Sequence, residues 1–467
     1  MRLYFICFSL FINAIFYAQK DQDYINYVNP LIGSNSSHEL SRGNTYPAIA
    51  LPWGMNFWTP QTGNMGDGWI YTHKNSGIVG IRQTHQPSPW INDYGAFSIM
   101  ASKGKLNLLE NDRKVTYKNV IVKPHHYKVE LIDSGITIEI APTRSSAHFR
   151  LSSDNMKNVN IIVDAFFKGS SIEINPQKNI IYGIAKNNSG GVPANFSNYF
   201  VIEFKDSFDR LGTWNGKGQV FKNKQLTGNH VGAYVSYNSF IGDNIEFRVS
   251  SSFISHEQAL INLNREIPSI QSFETTKANA KKIWNNELSK VKVTPNKKID
   301  KNTAHNDMVK FYSCFYRTIL FPRSIHEYDA GGNQIHYSPY NGKVLNGPLY
   351  TDNGFWDTFR AVFPFYNLLY PEKMSEIIQG IMVNPYKESG WLPEWSSPGH
   401  RDCMIGSNSA SIIAEAYLKG ADGFDIDTAY KAIIKNTNNE GPLGSVGRMG
   451  FKEYNSLGYI PYDTKVN

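Results

Sequence analysis

The sequence predicts a multidomain chain, β first and α second. An N-terminal β-sandwich occupies residues 19–270, a linker helix 271–300, and an α/α toroid 301–467. Three observations predict this. Short alternating runs, broken by Gly, Pro, Asn and Asp, fill the first half of the chain. A single stretch of helix formers follows. Beyond residue 301 apolar residues recur at helical spacing, with Gly and Pro as punctuation.

The first residues, "MRLYFICFSLFINAIFYAQ", place one Arg before an apolar run of about 15 residues, the pattern of a signal peptide over 1–18. Cleavage after Ala18 leaves Gln19 first. The run is short for a membrane span, so the chain is expected to be exported, periplasmic or secreted, with no stable span after processing. Cys314 and Cys403 then remain, far apart in sequence, either bridged or free.

The β signals come next. "VTYKNVIVKPHHYKVELIDSGITIEIAPTRSSAHFRLS" carries several short runs, and "KNVNIIVDAF", "NYFVIEFK", "GAYVSYN" and "NIEFRVSSSFIS" follow at turn-punctuated spacing. Many short strands at such spacing predict a sandwich. In "SFETTKANAKKIWNNELSKV" Ser272 is placed to cap a helix with Ile283, Trp284 and Leu288 on one side. In "NDMVKFYSCFYRTILFPR" Val309, Phe311, Cys314, Phe315 and Thr318 lie at helical spacing and Pro322 ends the run. "WDTFRAVFPFYNLLY", "PEKMSEIIQGIMVN", "SNSASIIAEAYLKG" and "DIDTAYKAIIKNT" read as further helices, with functional groups expected on their connectors.

Composition narrows the chemistry. Of 467 residues 13% are aromatic, and the formal charge of +7 comes from 47 basic against 40 acidic residues scattered without a long run. That is a solubility charge, not a nucleic-acid footprint. No GxSxG elbow, P-loop, HExxH or dinucleotide motif is present. Four stretches concentrate Trp, Gly, Pro and charge: 43–63, 84–95, 350–360 and 388–409. Sugar recognition needs this mixture, because a flat ring packs on C–H groups while carboxylates and Arg take hydroxyls.

Each candidate also has a plain structural role. Trp53 and Trp58 sit in a strand-like context and read as core. His85 reads as a satisfied structural histidine. Trp356 reads equally as core or site, and Asp357 is placed to cap a helix. Arg401 and Asp402 have ordinary surface pairing as their alternative. Trp90 differs: "THQPSPWINDYG" is too proline-rich for a regular core element, so its tryptophan reads as a ligand contact. Asp357, Glu394 and Asp402 are carboxylates near tryptophans, but spacing alone assigns none of them as acid or base.

At "YVNPLIGS", "GNTYPAIALPWGMNFWTPQTG", "GIRQTHQPSPWINDYG", "DNGFWDTFRAVFPFYNLLYP", "GWLPEWSSPGHRDCMIG" and "GPLGSVGRMGFKEYNSLGYIPYD" the chain resembles glycoside hydrolase family 92, the calcium-dependent exo-acting α-mannosidases of bacteria. The matches run from residue 27 to 463. The resemblance implies a β-sandwich, linker helices and an (α/α)6 barrel, with the active site between the two domains. It implies release of terminal α-linked mannose from glycans, in the manner of an α-1,2-mannosidase, with Ca2+ as cofactor. Inversion then needs an acid and a base roughly 6.5–9.5 Å apart. Substrate-binding roles carry over to Trp90, to Trp356 and Asp357 of the "WD" pair, and to Arg401 and Asp402 of "HRD". The catalytic acid and base belong to later "TEGN"- and "GNDD"-type motifs, which these residues lack, and most calcium ligands are expected there too. The implied protein is therefore a member with an incomplete barrel. The alternative is a catalytically incomplete fragment or a non-catalytic glycan-binding protein.

Overall fold

The fold is that of a computed structural model, which describes residues 23–35, 44–63, 70–296, 298–404 and 406–464. The expected signal peptide, 1–18, lies outside the described residues. Two antiparallel sheets face each other. The smaller, seven-stranded sheet runs in space Phe57–Gln61, Gly80–Thr84, Phe97–Lys103, Val159–Asp164, Val231–Tyr237, Arg210–Asn215 and Val220–Phe221. The ten-stranded sheet is centred on Asn198–Phe204, Asn244–Ser252 and Ser146–Ser152.

Period-two alternation explains the pairing. Ile202 sits opposite Val249 and Phe204 opposite Phe247. These side chains point inward to meet Ile161, Val163, Ala233 and Val235 of the other sheet. Trp58 lies in this core, packed edge-on against Phe97 and Phe149, so its expected core role holds.

The β character expected to about residue 270 ends sooner. The last strand of the two facing sheets stops at Ser252, and a helix runs over His256–Glu266. Its signal is "SHEQ", in which the Ser255 hydroxyl accepts from the Gln258 amide, a capping-box spacing. Ala259 and Leu263 cover Val201 on the outer face of the ten-stranded sheet, so that strand is buried on both sides.

The helix Phe273–Leu288 begins at the expected cap, Ser272, whose hydroxyl accepts from Thr275 N at 3.1 Å. Phe273, Ala280, Trp284 and Leu288 form its buried stripe, while Ile283 turns outward. The helix Lys301–Thr318 also differs from the stripe read in sequence. Met308, Tyr312, Phe315 and Tyr316 are buried, whereas Cys314 is exposed. An aromatic run offers two faces, and polar tips decide between them: Tyr316 donates to Ala48 O at 2.7 Å and Tyr312 to Val291 O at 2.8 Å. Cys314 and Cys403 are both free thiols.

Helices at Val362–Leu369, Pro371–Ile378, Asn384–Ser389, Asn408–Leu418 and Ile426–Asn438 follow. Among the described residues they stack without closing a barrel and leave Leu368, Leu418 and Tyr430 exposed. One core joins them to the N-terminal half: Ile25, Val28, Trp53 and Phe57 pack with Trp284, Tyr316, Phe363 and Tyr366. This shared core fixes sandwich and helices as one body, and the candidate site sits on the seam.

Candidate active site at the seam

The loop of residues 84–95 leaves the strand Gly80–Thr84. Its two ends are held together by one buried carboxylate. Asp93 accepts from Thr84 Oγ1 at 2.6 Å, His85 N at 2.7 Å and Tyr94 N at 2.8 Å, and pairs with Arg82 at 2.9 Å. Three donors on one acid fix a turn that Pro87 and Pro89 already stiffen. His85 is structural, as expected. Burial drives its pKa well down, and its ring nitrogens meet Tyr94 O and Asn56 Oδ1 at 2.7 and 2.9 Å. At the tip, Trp90 is 68% exposed. A ring that is neither core nor covered, on a stiff turn, is available for stacking.

Below this loop lies a residue the sequence reading passed over. Asp352 is buried, accepts from Tyr94 Oη at 2.9 Å, and pairs with Arg323 Nε at 2.6 Å. Arg323 in turn donates to Met55 O at 2.7 Å and stacks on Phe57 at 3.8 Å. Burial raises the Asp352 pKa, and the arginine beside it opposes that rise. Asp352 also has a positive φ of 59°, which Asp tolerates better than most residues. The available signal was "TDNG", an Asp ahead of Asn-Gly, which reads as a turn.

The segment after Asp352 is zipped to the fourth stretch. Asn353 pairs with Ser396 and Gly354 with Trp395. A Cβ on Gly354 would lie 2.3 Å from the Trp395 ring, so this approach needs glycine. Arg401 N donates to Trp395 O at 3.0 Å, which brings "HRD" alongside "FWD". Trp356 and Asp357 then project from the short helix Phe355–Thr358, both exposed, with Arg360 stacked 4.6 Å over Trp356. Asp357 caps nothing, and partial burial raises its pKa against the pull of Arg360.

Asp402 Oδ1 accepts from Ser445 N at 3.0 Å. Cys403 lies among Arg401, Asp402 and Asp357, all of which it feels electrostatically, and burial pushes its thiol up. The pairing of Asn353–Gly354 with Trp395–Ser396 and the Arg401 N to Trp395 O bond thus set the Asp357 and Arg401–Asp402 segments side by side, and the Tyr94–Asp352 bond fastens the Trp90 loop to the first of them. Trp53 is not in this group. It is buried against Tyr366 and Tyr370 as core.

Glu394 is a carboxylate of another kind. It is buried and caps the helix Asn408–Leu418 from outside, accepting from Asn408 N at 2.9 Å and from the Ser409 hydroxyl. Burial still raises its pKa to about 7. Among the described residues no group of three or more His, Cys, Asp or Glu is arranged to hold a metal ion. Asp93 and Asp352, two buried acids at the seam, are each paired with an arginine. The described residues therefore do not fit a calcium ion.

A β-sandwich set against stacked helices, with Trp and carboxylates on the seam, defines the architecture of a glycoside hydrolase. The chain belongs to glycosyl hydrolase family 92. Residues 27–252 match the family's N-terminal domain and 258–467 its catalytic domain. The chain is 44% identical to an inverting mannosidase of the family from Bacteroides thetaiotaomicron, with a TM-score of 0.88 over 94% of this chain and 59% of that one. An α-mannosidase from the same organism, solved with mannoimidazole, shares the fold at 23% identity and a TM-score of 0.79, over 95% of this chain and 58% of that one. An uncharacterized secreted glycosidase of Arthroderma benhamiae is 23% identical, over 95% of this chain and 56% of its own length. The chain thus spans less than three fifths of these relatives. No helix among the described residues is long and apolar enough to cross a membrane.

Proposed function

We propose that this protein acts on glycans with a terminal α-linked mannose, releasing that mannose with inversion, and that it is exported to the periplasm or the medium. The observation that carries this reading is the seam: the loop that bears the exposed Trp90 is bonded through Tyr94 to Asp352, and the segment of Asp352 and Asp357 is paired with the one that leads to Arg401 and Asp402, in a chain 44% identical to an inverting mannosidase. The terminal mannose stacks on Trp90, its C–H face against the ring. Asp357 accepts hydrogen bonds from its hydroxyls, as does Asp402 through the oxygen not engaged by Ser445. A cut signal peptide over 1–18, read from the N-terminal residues themselves, is part of the same proposal.

A second reading, glycan binding without cleavage, is favoured by the state of the perturbed acids. Asp352 is held by Arg323 and Tyr94, Glu394 by a helix N-terminus, and Glu327 by Asn262 and the Phe253 amide. None of these three is open to a glycosidic oxygen, and Asp357, raised but exposed, is given to the sugar hydroxyls, so acid and base are unassigned. Proton NMR of an α-mannoside digest separates the readings. β-Mannose appearing first supports inverting hydrolysis, saturable binding without product supports the second reading, and neither binding nor product refutes both.

A further inference from the structure

Arg401 reads first as a sugar contact, yet its guanidinium is already engaged by the opposite domain. Nη1 donates to Ser189 O at 3.3 Å and Gly190 O at 3.0 Å, and Nη2 donates to Ser189 Oγ at 2.9 Å. These acceptors belong to a sandwich loop that presses directly on the "GHRD" backbone. A Cβ on Gly191, whose φ is 72°, would lie 2.7 Å from His400 O. A Cβ on Gly399 would lie 2.3 Å from Gly191 O. Contact this close leaves the loop one position, set by the arginine.

The same loop is tied to the base of the Trp90 loop. Gly95 N donates to Asn187 O at 2.7 Å. The buried Asn187 amide bonds Ala96 in both directions, accepting from its N–H and donating to its carbonyl, each at 2.8 Å. Hydrogen bonds at both ends and the short backbone of residues 187–190 between them therefore link Arg401 to residues 95–96, with Gly95 five positions from Trp90.

We infer that Arg401 is a positioning residue, which clasps the sandwich loop 187–191 and through it sets Trp90 against the Asp357–Asp402 side of the site. This rests on the mannose-site reading above, and it assigns Arg401 an action through Trp90 rather than through the sugar. Both halves of a site on a domain seam must be in register, and a planar donor fork reaching across the seam provides that register.

The test is a double-mutant cycle with methyl α-mannoside as probe, read by titration calorimetry on the full chain. Arg401→Ala and Gly191→Ala each weaken binding roughly tenfold, within the worth of the Trp90 contact that they misplace. Gly191→Ala disturbs the clasp while leaving the arginine intact. In a Trp90→Ala background both losses shrink to below about twofold, because the residue they act through is gone. Amide exchange gives an independent reading: in both variants residues 84–96 and 186–196 exchange faster, while the strand Asn244–Ser252 does not change. The proposal is overturned if Arg401→Ala costs the same factor with and without Trp90, if Gly191→Ala binds like wild type, or if exchange at 84–96 is unmoved. If the wild-type chain binds no mannoside, the mannose-site reading fails, and the exchange experiment still decides whether the clasp exists.

Discussion

Truncating Trp90 to Ala separates a ligand contact from a core residue by two numbers at once. A tryptophan carries about 150–250 Å² of side-chain surface. With 68% of the residue exposed, about 100–170 Å² is open to solvent. A sugar covering one face of the ring hides roughly half of that, about 50–85 Å². At ~25 cal/mol per Å² the contact is worth about 1–2 kcal/mol, or ~5- to 30-fold in affinity for methyl α-mannoside. Losing the ring from the free protein costs almost nothing, within about 0.5 kcal/mol, because it packs on little. Calorimetric titration and a thermal melt on the same preparation measure both. Unchanged affinity, or a melting temperature several degrees lower, would refute the reasoning. The first removes Trp90 from the site and the second makes it core.

Other substitutions follow the same logic. Asp357→Asn lowers mannoside affinity about tenfold through lost charge-assisted hydrogen bonds, with the melting temperature unchanged, since Asp357 is exposed and caps nothing. Asp352→Ala destabilises by about 3–5 kcal/mol, because it strands the buried Arg323 guanidinium. Differential scanning calorimetry reads this, and a loss under about 1 kcal/mol would show that Arg323 finds another acceptor. For Glu394 and Glu327 burial raises the folded pKa to about 7 in each case, against about 4.3 unfolded. Between those values the folded state holds protons that the unfolded state has released. Their contribution is therefore most favourable below about pH 4.3 and falls as pH rises to about 7, by up to about 4 kcal/mol per group. Glu394→Gln should flatten part of this decline in melting temperature between pH 5 and pH 8, and parallel wild-type and variant curves would contradict the shift.

The order of strands, linker and helices was legible because each part carries a clean period. "NYFVIEFK" became Asn198–Phe204 and "DIDTAYKAIIKNT" became Ile426–Asn438. What escaped depended on partners. The helix His256–Glu266 follows a serine-rich strand end and has its cue in four residues only. The buried face of Lys301–Thr318 was misread because Phe311, Tyr312, Phe315 and Tyr316 offer two aromatic stripes, and the carbonyls of Ala48 and Val291 select one. The exposure of Trp90 was readable from two prolines that exclude a core element. Asp352 was not, since an isolated Asp before Asn-Gly reads as a turn. Its weight comes from Arg323, 29 positions away, and from Tyr94, 258 positions away. Likewise the acceptors of Arg401 lie 211 and 212 positions upstream on the other domain, beyond any local pattern.

The central claim is that the seam holds a terminal mannose between Trp90 and the Asp357–Asp402 segment. The most direct measurement is a crystal structure of this chain soaked with mannoimidazole. The sugar should lie with its C–H face on the Trp90 ring and its hydroxyls on Asp357. A saturated soak with the seam empty, or the sugar bound elsewhere on the sandwich or helices, would contradict the account.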